Sequence, residues 1–196
     1  MTERRRATPR HPSAARNRKR AWAVLFAFAL AWSPGGAAQD IAPEYQLKAA
    51  FISKFPEFTE WPSAVLDRRD ALAICVVKPS PLGTALAEFT AGNALRGRPV
   101  QVREVGTAAA VDACHVLFVP RQSEAGAKPL LARARTLPIL TIGESPAFLD
   151  EGGIVKLNLV SGRLRFEVNA GAASRVGLKL SSQLLRLALD VRGGPS

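Results

Sequence analysis

"IVKLNLVSGRLRFEVN", residues 154–169, decides how the end of this chain folds. Two alternating runs flank Ser161-Gly162, a two-residue signal for a tight β-turn. Pairing Val160 with Arg163 sets a register that can be checked residue by residue. Leu159 then faces Leu164, Leu157 faces Phe166 and Val155 faces Val168 on one side. Lys156 faces Glu167 and Asn158 faces Arg165 on the other. One face is apolar and the other polar or charge-matched. A slip of one residue would mix the faces, so the register is strongly specified.

Upstream, the pattern is different. "ALAICVV" (71–77), "CHVLFVP" (114–120) and "PILTIGES" (138–145) are apolar on both faces, and "RPVQVREV" (98–105) alternates loosely. Helical segments over 82–90 and 123–136 separate them, the second restarting at Pro129, and a short helix is expected from Pro146. Strands without a polar side, alternating with helices, predict a mostly parallel sheet covered on both faces. The fold class is therefore α/β: a mostly parallel sheet with helices on both faces, plus the C-terminal antiparallel hairpin. After the hairpin, Asn169 is positioned to cap a short helix ending near Gly177. "LKL" (178–180) reads as extended, and 181–189 as a last helix capped by Ser181 or Ser182.

"YQLKAAFISKFPEFTEWP", residues 45–62, opens the domain. Asp40 is a candidate cap and Pro43 suits a first turn. Leu47, Phe51, Phe55 and Phe58 recur at helical spacing, with Lys48 and Lys54 off that stripe. The stripe is expected to pack on the sheet, with Pro56 ending or kinking the helix and Trp61 closing an edge of the core. The mixed polar face (Glu44, Gln46, Lys48, Ser53, Glu57) argues against a membrane-surface helix.

Residues 1–38 have the form of a cleaved export signal. A basic stretch precedes the apolar run 21–32, and small residues follow at Gly36 and Ala38. Twelve apolar residues fall short of the roughly 20 that span a bilayer. This leaves 39–196 as one exported α/β domain. It also removes most of the charge. The chain has 27 Lys+Arg against 16 Asp+Glu; residues 1–38 hold eight basic residues and one acidic, leaving 19 against 15. A surplus of about +4 gives nucleic-acid binding little support.

Cys75 and Cys114 are the only cysteines, and an even pair in an exported protein implies a disulfide. A flavodoxin-like strand order would make their strands neighbours. Closing a loop of about 40 residues contributes roughly 3–4 kcal/mol in the chain-entropy picture. No metal site or cofactor motif is present. His115 is the one histidine after the signal, at a strand start, and no nucleophile–base set can be built around it. An enzyme is disfavoured. The remaining candidate for chemistry is the crevice beyond the carboxyl ends of the strands. Its residues are Lys78, Ser80, Arg121, Ser123, Glu144 and Ser145, with Lys78 and Arg121 as anion holders.

Two segments carry a family likeness. "EYQLKAAFISKFPEFTEWP" (44–62) and "TIGESPAFLDEGGIVKLNLVSGRLRFEVNAGAASRVGLKLSSQLLRLA" (141–188) resemble the YfiR/HmsC-like family of exported bacterial proteins. "AICVV" and "CHVLFV" stand where that family has its first and third core strands, each with a cysteine. The resemblance spans roughly residues 44–189. It implies a periplasmic repressor that binds the sensor region of an inner-membrane diguanylate cyclase and so limits cyclic-di-GMP signalling and biofilm formation. An outer-membrane lipoprotein would sequester it. The family's second cysteine pair is missing from "GESPAFLDEGG", which leaves the remaining bridge a structural look. A homodimer stays open, and a small-molecule or anion-binding module using the crevice is the alternative function.

Overall fold

The computed structural model describes residues 42–66, 70–95 and 97–194. The export signal and Asp40 lie outside the described residues. In chain order the elements are α1 (Pro43–Lys54), a 3-10 turn (Phe55–Phe58), β1 (Thr59–Glu60), α2 (Ser63–Leu66) and β2 (Leu72–Val77). Then come α3 (Leu82–Thr90), β3 (Ala94–Leu95), β4 (Arg98–Val105), α4 (Ala108–Val111) and β5 (Val116–Val119). A 3-10 turn (Arg121–Ser123), α5 (Glu124–Ala134), β6 (Leu140–Gly143), β7 (Val155–Val160) and β8 (Arg163–Asn169) follow. The chain closes with α6 (Ala170–Arg175), β9 (Lys179–Leu180), α7 (Ser182–Leu187) and β10 (Val191–Arg192).

Eight of these strands form one sheet in the order β10-β8-β7-β6-β5-β2-β4-β3. Strands β4, β2, β5, β6 and β7 run parallel, in the doubly wound arrangement whose switch point lies between β2 and β5. Every residue of β2, β5 and β6 is buried, as their unbroken apolar runs require. Successive β2 side chains enter different cores. Leu72, Ile74 and Val76 meet α1 and α3, whereas Cys75 and Val77 meet α4 and α5.

The hairpin adopts the predicted register at all six pairs, from Val155↔Val168 to Val160↔Arg163. Ser161 and Gly162 have φ of 50° and 72°, the left-handed pair that a twisted two-residue turn demands. Lys156 Nζ and Glu167 Oε2 meet at 2.8 Å on the polar face. Cys75 and Cys114 form the disulfide, with Cα atoms 5.8 Å apart. The two are not level. Ile74 pairs with Val116, and Cys114 reaches back from the turn before β5.

Four expectations need correction. The 47/51/55/58 stripe is not the buried face of α1. Lys48, Ala49, Ile52 and Ser53 are buried; of the stripe only Phe55, just past the helix, is buried as expected, while Leu47 is exposed and Phe51 and Phe58 are half-buried. α1 packs against α3 through its small and branched residues, which turns the aromatics toward α7. Second, α5 runs through Pro129 without restarting. Proline lacks an N–H and so deprives the helix of one bond at its middle, where the neighbouring Leu130 and Leu131 are buried in the core. Third, no helix follows Pro146; residues 146–152 are successive turns. They wrap the buried Phe148 ring between Gly143 and Gly153, leaving no room for a Cβ at either glycine. Fourth, α7 stops at Leu187 and the chain straightens into β10 beside β8, a strand the sequence pattern did not suggest. Asn169 and Ser181 do cap α6 and α7, accepting from the N–H groups of Ala172 and Leu184.

Two stability predictions follow from this packing. Phe118→Ala should cost about 3–5 kcal/mol in urea unfolding, and Phe51→Ala only about 1–2 kcal/mol, because Phe51 is half out of the core. Gly153→Ala should cost about 3 kcal/mol or more, since its Cβ would meet the Phe148 ring and sit 2.7 Å from the Phe148 carbonyl oxygen.

Candidate functional site

The carboxyl ends of β2, β5 and β6 open into a cavity of about 300 Å³ at the switch point. Three of the six anticipated residues line it: Ser80, Arg121 and Glu144. The other three do not. The Lys78 side chain lies beside Gly106, Ser123 Oγ donates to the Pro79 carbonyl at 3.2 Å, and Ser145 is buried. Ser80 Oγ is itself engaged, accepting from the Leu82 N–H at 3.2 Å.

The residues that complete the crevice come from elsewhere. α1 contributes Glu44, Tyr45 and Lys48, and the hairpin contributes Leu157, Leu159 and Leu164. Lys48 is the surprise. It falls on the polar side of the helix yet is only 8% exposed. Its Nζ lies 2.5 Å from both Glu44 Oε1 and Glu144 Oε1, and 5.6 Å from the centre of the Tyr45 ring. Burial pulls this ammonium's pKa down, but the hydrogen bonds it gives to Glu144 and Glu44, and their charges, outweigh that and hold it above the ordinary 10.5. The Glu44-to-Lys48 spacing, i to i+4, was the one legible hint.

Glu144 is the hub. One carboxylate oxygen takes Lys48 and the other accepts the Arg121 backbone N–H at 3.2 Å. The Arg121 guanidinium donates to the Glu144 carbonyl at 3.1 Å. The expected pair of anion-holding cations is thus replaced by Lys48 and Arg121, and both already contact Glu144. Two carboxylates balance two cations, and the rest of the lining mixes polar residues (Ser80, Gln122, Tyr45) with apolar ones (Leu82, Phe118, Leu157, Leu159, Leu164).

A second feature lies on the far side of α1. Leu47, Phe51, Phe58, Phe89, Phe166 and Leu187 line an almost wholly apolar groove of about 370 Å³. Leu47, Phe89 and Leu187 are 38%, 39% and 63% exposed. The Phe55 and Phe166 rings meet edge-on beneath it, with centroids 5.3 Å apart. This is where the aromatic stripe of the sequence went.

His115 has a structural setting. Its Nδ1 accepts the Ala73 backbone N–H at 3.0 Å and the Trp61 ring stands edge-on at 6.4 Å. Among the described residues no group of His, Cys, Asp and Glu is placed to hold a metal, and no helix is long and apolar enough to cross a membrane.

Fold and crevice together define a doubly wound α/β domain with a charge-paired crevice at its switch point. The chain belongs to the YfiR/HmsC-like family, whose pattern it matches over residues 45–189. Members of this family are periplasmic regulators of diguanylate cyclases rather than enzymes. No curated protein matches the chain significantly. Among solved structures, it is similar to an ABC domain in complex with L-Trp from Streptococcus pneumonia, at 12% identity and a TM-score of 0.54, covering 73% of this chain and 60% of that one. A conserved domain protein from Vibrio cholerae O1 biovar El Tor strain N16961 matches at 14% identity and a TM-score of 0.46, covering 66% of this chain and 59% of that one. The chain thus spans about 60% of the length of these structures, and the first of them supports the layering of the fold.

Lys48→Met strands two carboxylates around a buried site and should cost about 2–4 kcal/mol near neutral pH. The sign of the pH effect follows from the raised pKa. The Lys48 contribution is complete below about pH 10.5 and fades as pH climbs through the higher folded-state value. Urea unfolding across pH 9–12 should therefore show the gap between wild type and Lys48→Met narrowing at the alkaline end.

Proposed function

We propose that this protein is a periplasmic repressor that binds the periplasmic sensor region of an inner-membrane diguanylate cyclase and holds the enzyme inactive. Cyclic-di-GMP synthesis and biofilm formation fall as a result. An outer-membrane lipoprotein that sequesters the repressor is the proposed release step. The observation that carries the reading is the family match, which runs from α1 to the end of α7 and so takes in nearly the whole described domain. The chemistry is consistent with it: the one described histidine is built into the core, and the crevice cations are already paired. Residues 1–38, read as the export signal, would deliver the domain to the compartment where cyclase and lipoprotein face each other.

Repression by binding has an energetic requirement. The protein must bind the inactive sensor state more tightly than the active one, because equal affinity for both shifts nothing. A shift from mostly active to mostly inactive needs a differential of roughly 5 kcal/mol. A rigid domain serves this well, and the Cys75–Cys114 bridge contributes to that rigidity.

The deciding experiment is capture from detergent-solubilised membranes of the protein's own source, using the mature chain as bait and mass spectrometry as readout. The expected catch is an inner-membrane protein carrying a cytoplasmic diguanylate cyclase domain. A blank at good bait recovery would sink the repressor reading and shift weight to small-molecule binding in the crevice. The bridge supplies a second check. Cys75→Ser should lower stability by roughly 3–4 kcal/mol, reduce the amount of repressor and raise cellular cyclic-di-GMP. Unchanged melting and signalling would show that the bridge does not support repression.

A further inference from the structure

α1 is the common wall of two features, with Lys48 on the crevice and Leu47 and Phe51 on the apolar groove. In the crevice, the helix is tied to the sheet through one carboxylate. Glu144 receives Lys48 Nζ at 2.5 Å and the Arg121 N–H at 3.2 Å. It belongs to the chain itself, yet it stands at the switch point, where open α/β sheets bind their ligands. Beside it lies the cavity of about 300 Å³, lined by Ser80 and Gln122 on its polar side and by Tyr45 and the half-exposed Leu159 on its apolar side. The Glu144 side chain is 12% exposed and sits on the loop that leaves β6, so it has a way out to water.

We propose that the crevice is a seat for a small organic acid with an apolar body, and that Glu144 is its built-in competitor. The ligand carboxylate takes the place of Glu144 on Lys48 and on the Arg121 N–H. Glu144 turns out to solvent, and the apolar body lies against Leu159, which is half-exposed, and the Tyr45 ring. Exchanging one carboxylate for another keeps Lys48 paired and leaves the charge of the seat unchanged, which avoids the large cost of a stranded buried charge. A tethered carboxylate competes at high effective concentration, so the wild type binds weakly and removal of the tether strengthens binding. Occupancy moves the Lys48 tie from the chain to the ligand. That makes the setting of α1, and of the groove on its other side, responsive to the ligand. This holds whether or not the protein represses a cyclase.

Benzoate is the probe, titrated into the mature wild type, Glu144→Ala and Glu144→Gln by calorimetry and by amide NMR. Glu144→Ala should bind benzoate at least about tenfold more tightly than wild type, with the Arg121 amide among the resonances that move. Adding Lys48→Met to Glu144→Ala should abolish that gain. If Glu144→Ala does not fold, Glu144→Gln decides, since it keeps the shape and removes the charge; tighter binding supports the seat. Equal affinity in wild type and variant, an unmoved Arg121 amide, or inorganic phosphate binding as well as benzoate would overturn the proposal.

Discussion

Strand β2 has no side to give to water. All six residues from Leu72 to Val77 are buried, and they alternate between two cores. That single constraint sets the architecture. Both faces of the sheet must be covered, so helices are needed on each. The neighbours of β2 must be parallel strands reached by crossovers, which places β4 on one side and β5 on the other. The split between β2 and β5 then opens the crevice. The disulfide reinforces the same place, tying Cys75 within β2 to the turn that delivers β5.

The layering and the hairpin could be read from the chain because each rests on local periodicity. Unbroken apolar runs identify strands covered on both sides, and the alternation from Val155 to Val168, with a left-handed turn at Ser161-Gly162, admits one register. What could not be read depends on contacts between distant segments. Nothing near Lys48 says that it will lie against Glu144, and nothing near Phe51 says that α7 will pass beside it. A helix carrying two apolar stripes, one of small and branched residues and one of aromatics, offers two ways to face a core. The aromatic stripe is the more conspicuous in the sequence, but packing against α3 buries the other. The turns at 146–152 have no legible local pattern for a related reason, since Phe148 folds inward onto two glycines rather than along a helix face.

The crevice shows the same mixture. Its location follows from topology alone, and the anticipated Ser80, Arg121 and Glu144 are there. Its chemistry does not follow, because the sign of a site is the sum of everything that reaches it. Loop cations suggested a site for free anions. Once α1 brings Glu44 and Lys48, the site is neutral and internally paired. Its own side chains satisfy one another there.

The far edge of the sheet raises a practical matter of handling. Residues 189–192 lie along the outer side of β8, with the Leu189 N–H donating to the Phe166 carbonyl at 2.8 Å and the Val168 N–H donating to the Asp190 carbonyl at 2.9 Å. Gly193 approaches Gly171 so closely that a side chain at 193 would stand 3.0 Å from the Gly171 nitrogen. This short strip is a selvedge: it finishes a hairpin edge whose main-chain groups would otherwise invite another strand. Trimming the chain at residue 188, or fusing a bulky reporter close behind Arg192, would unpick it. The cost would appear less as lost folding energy than as chains adhering to one another during purification.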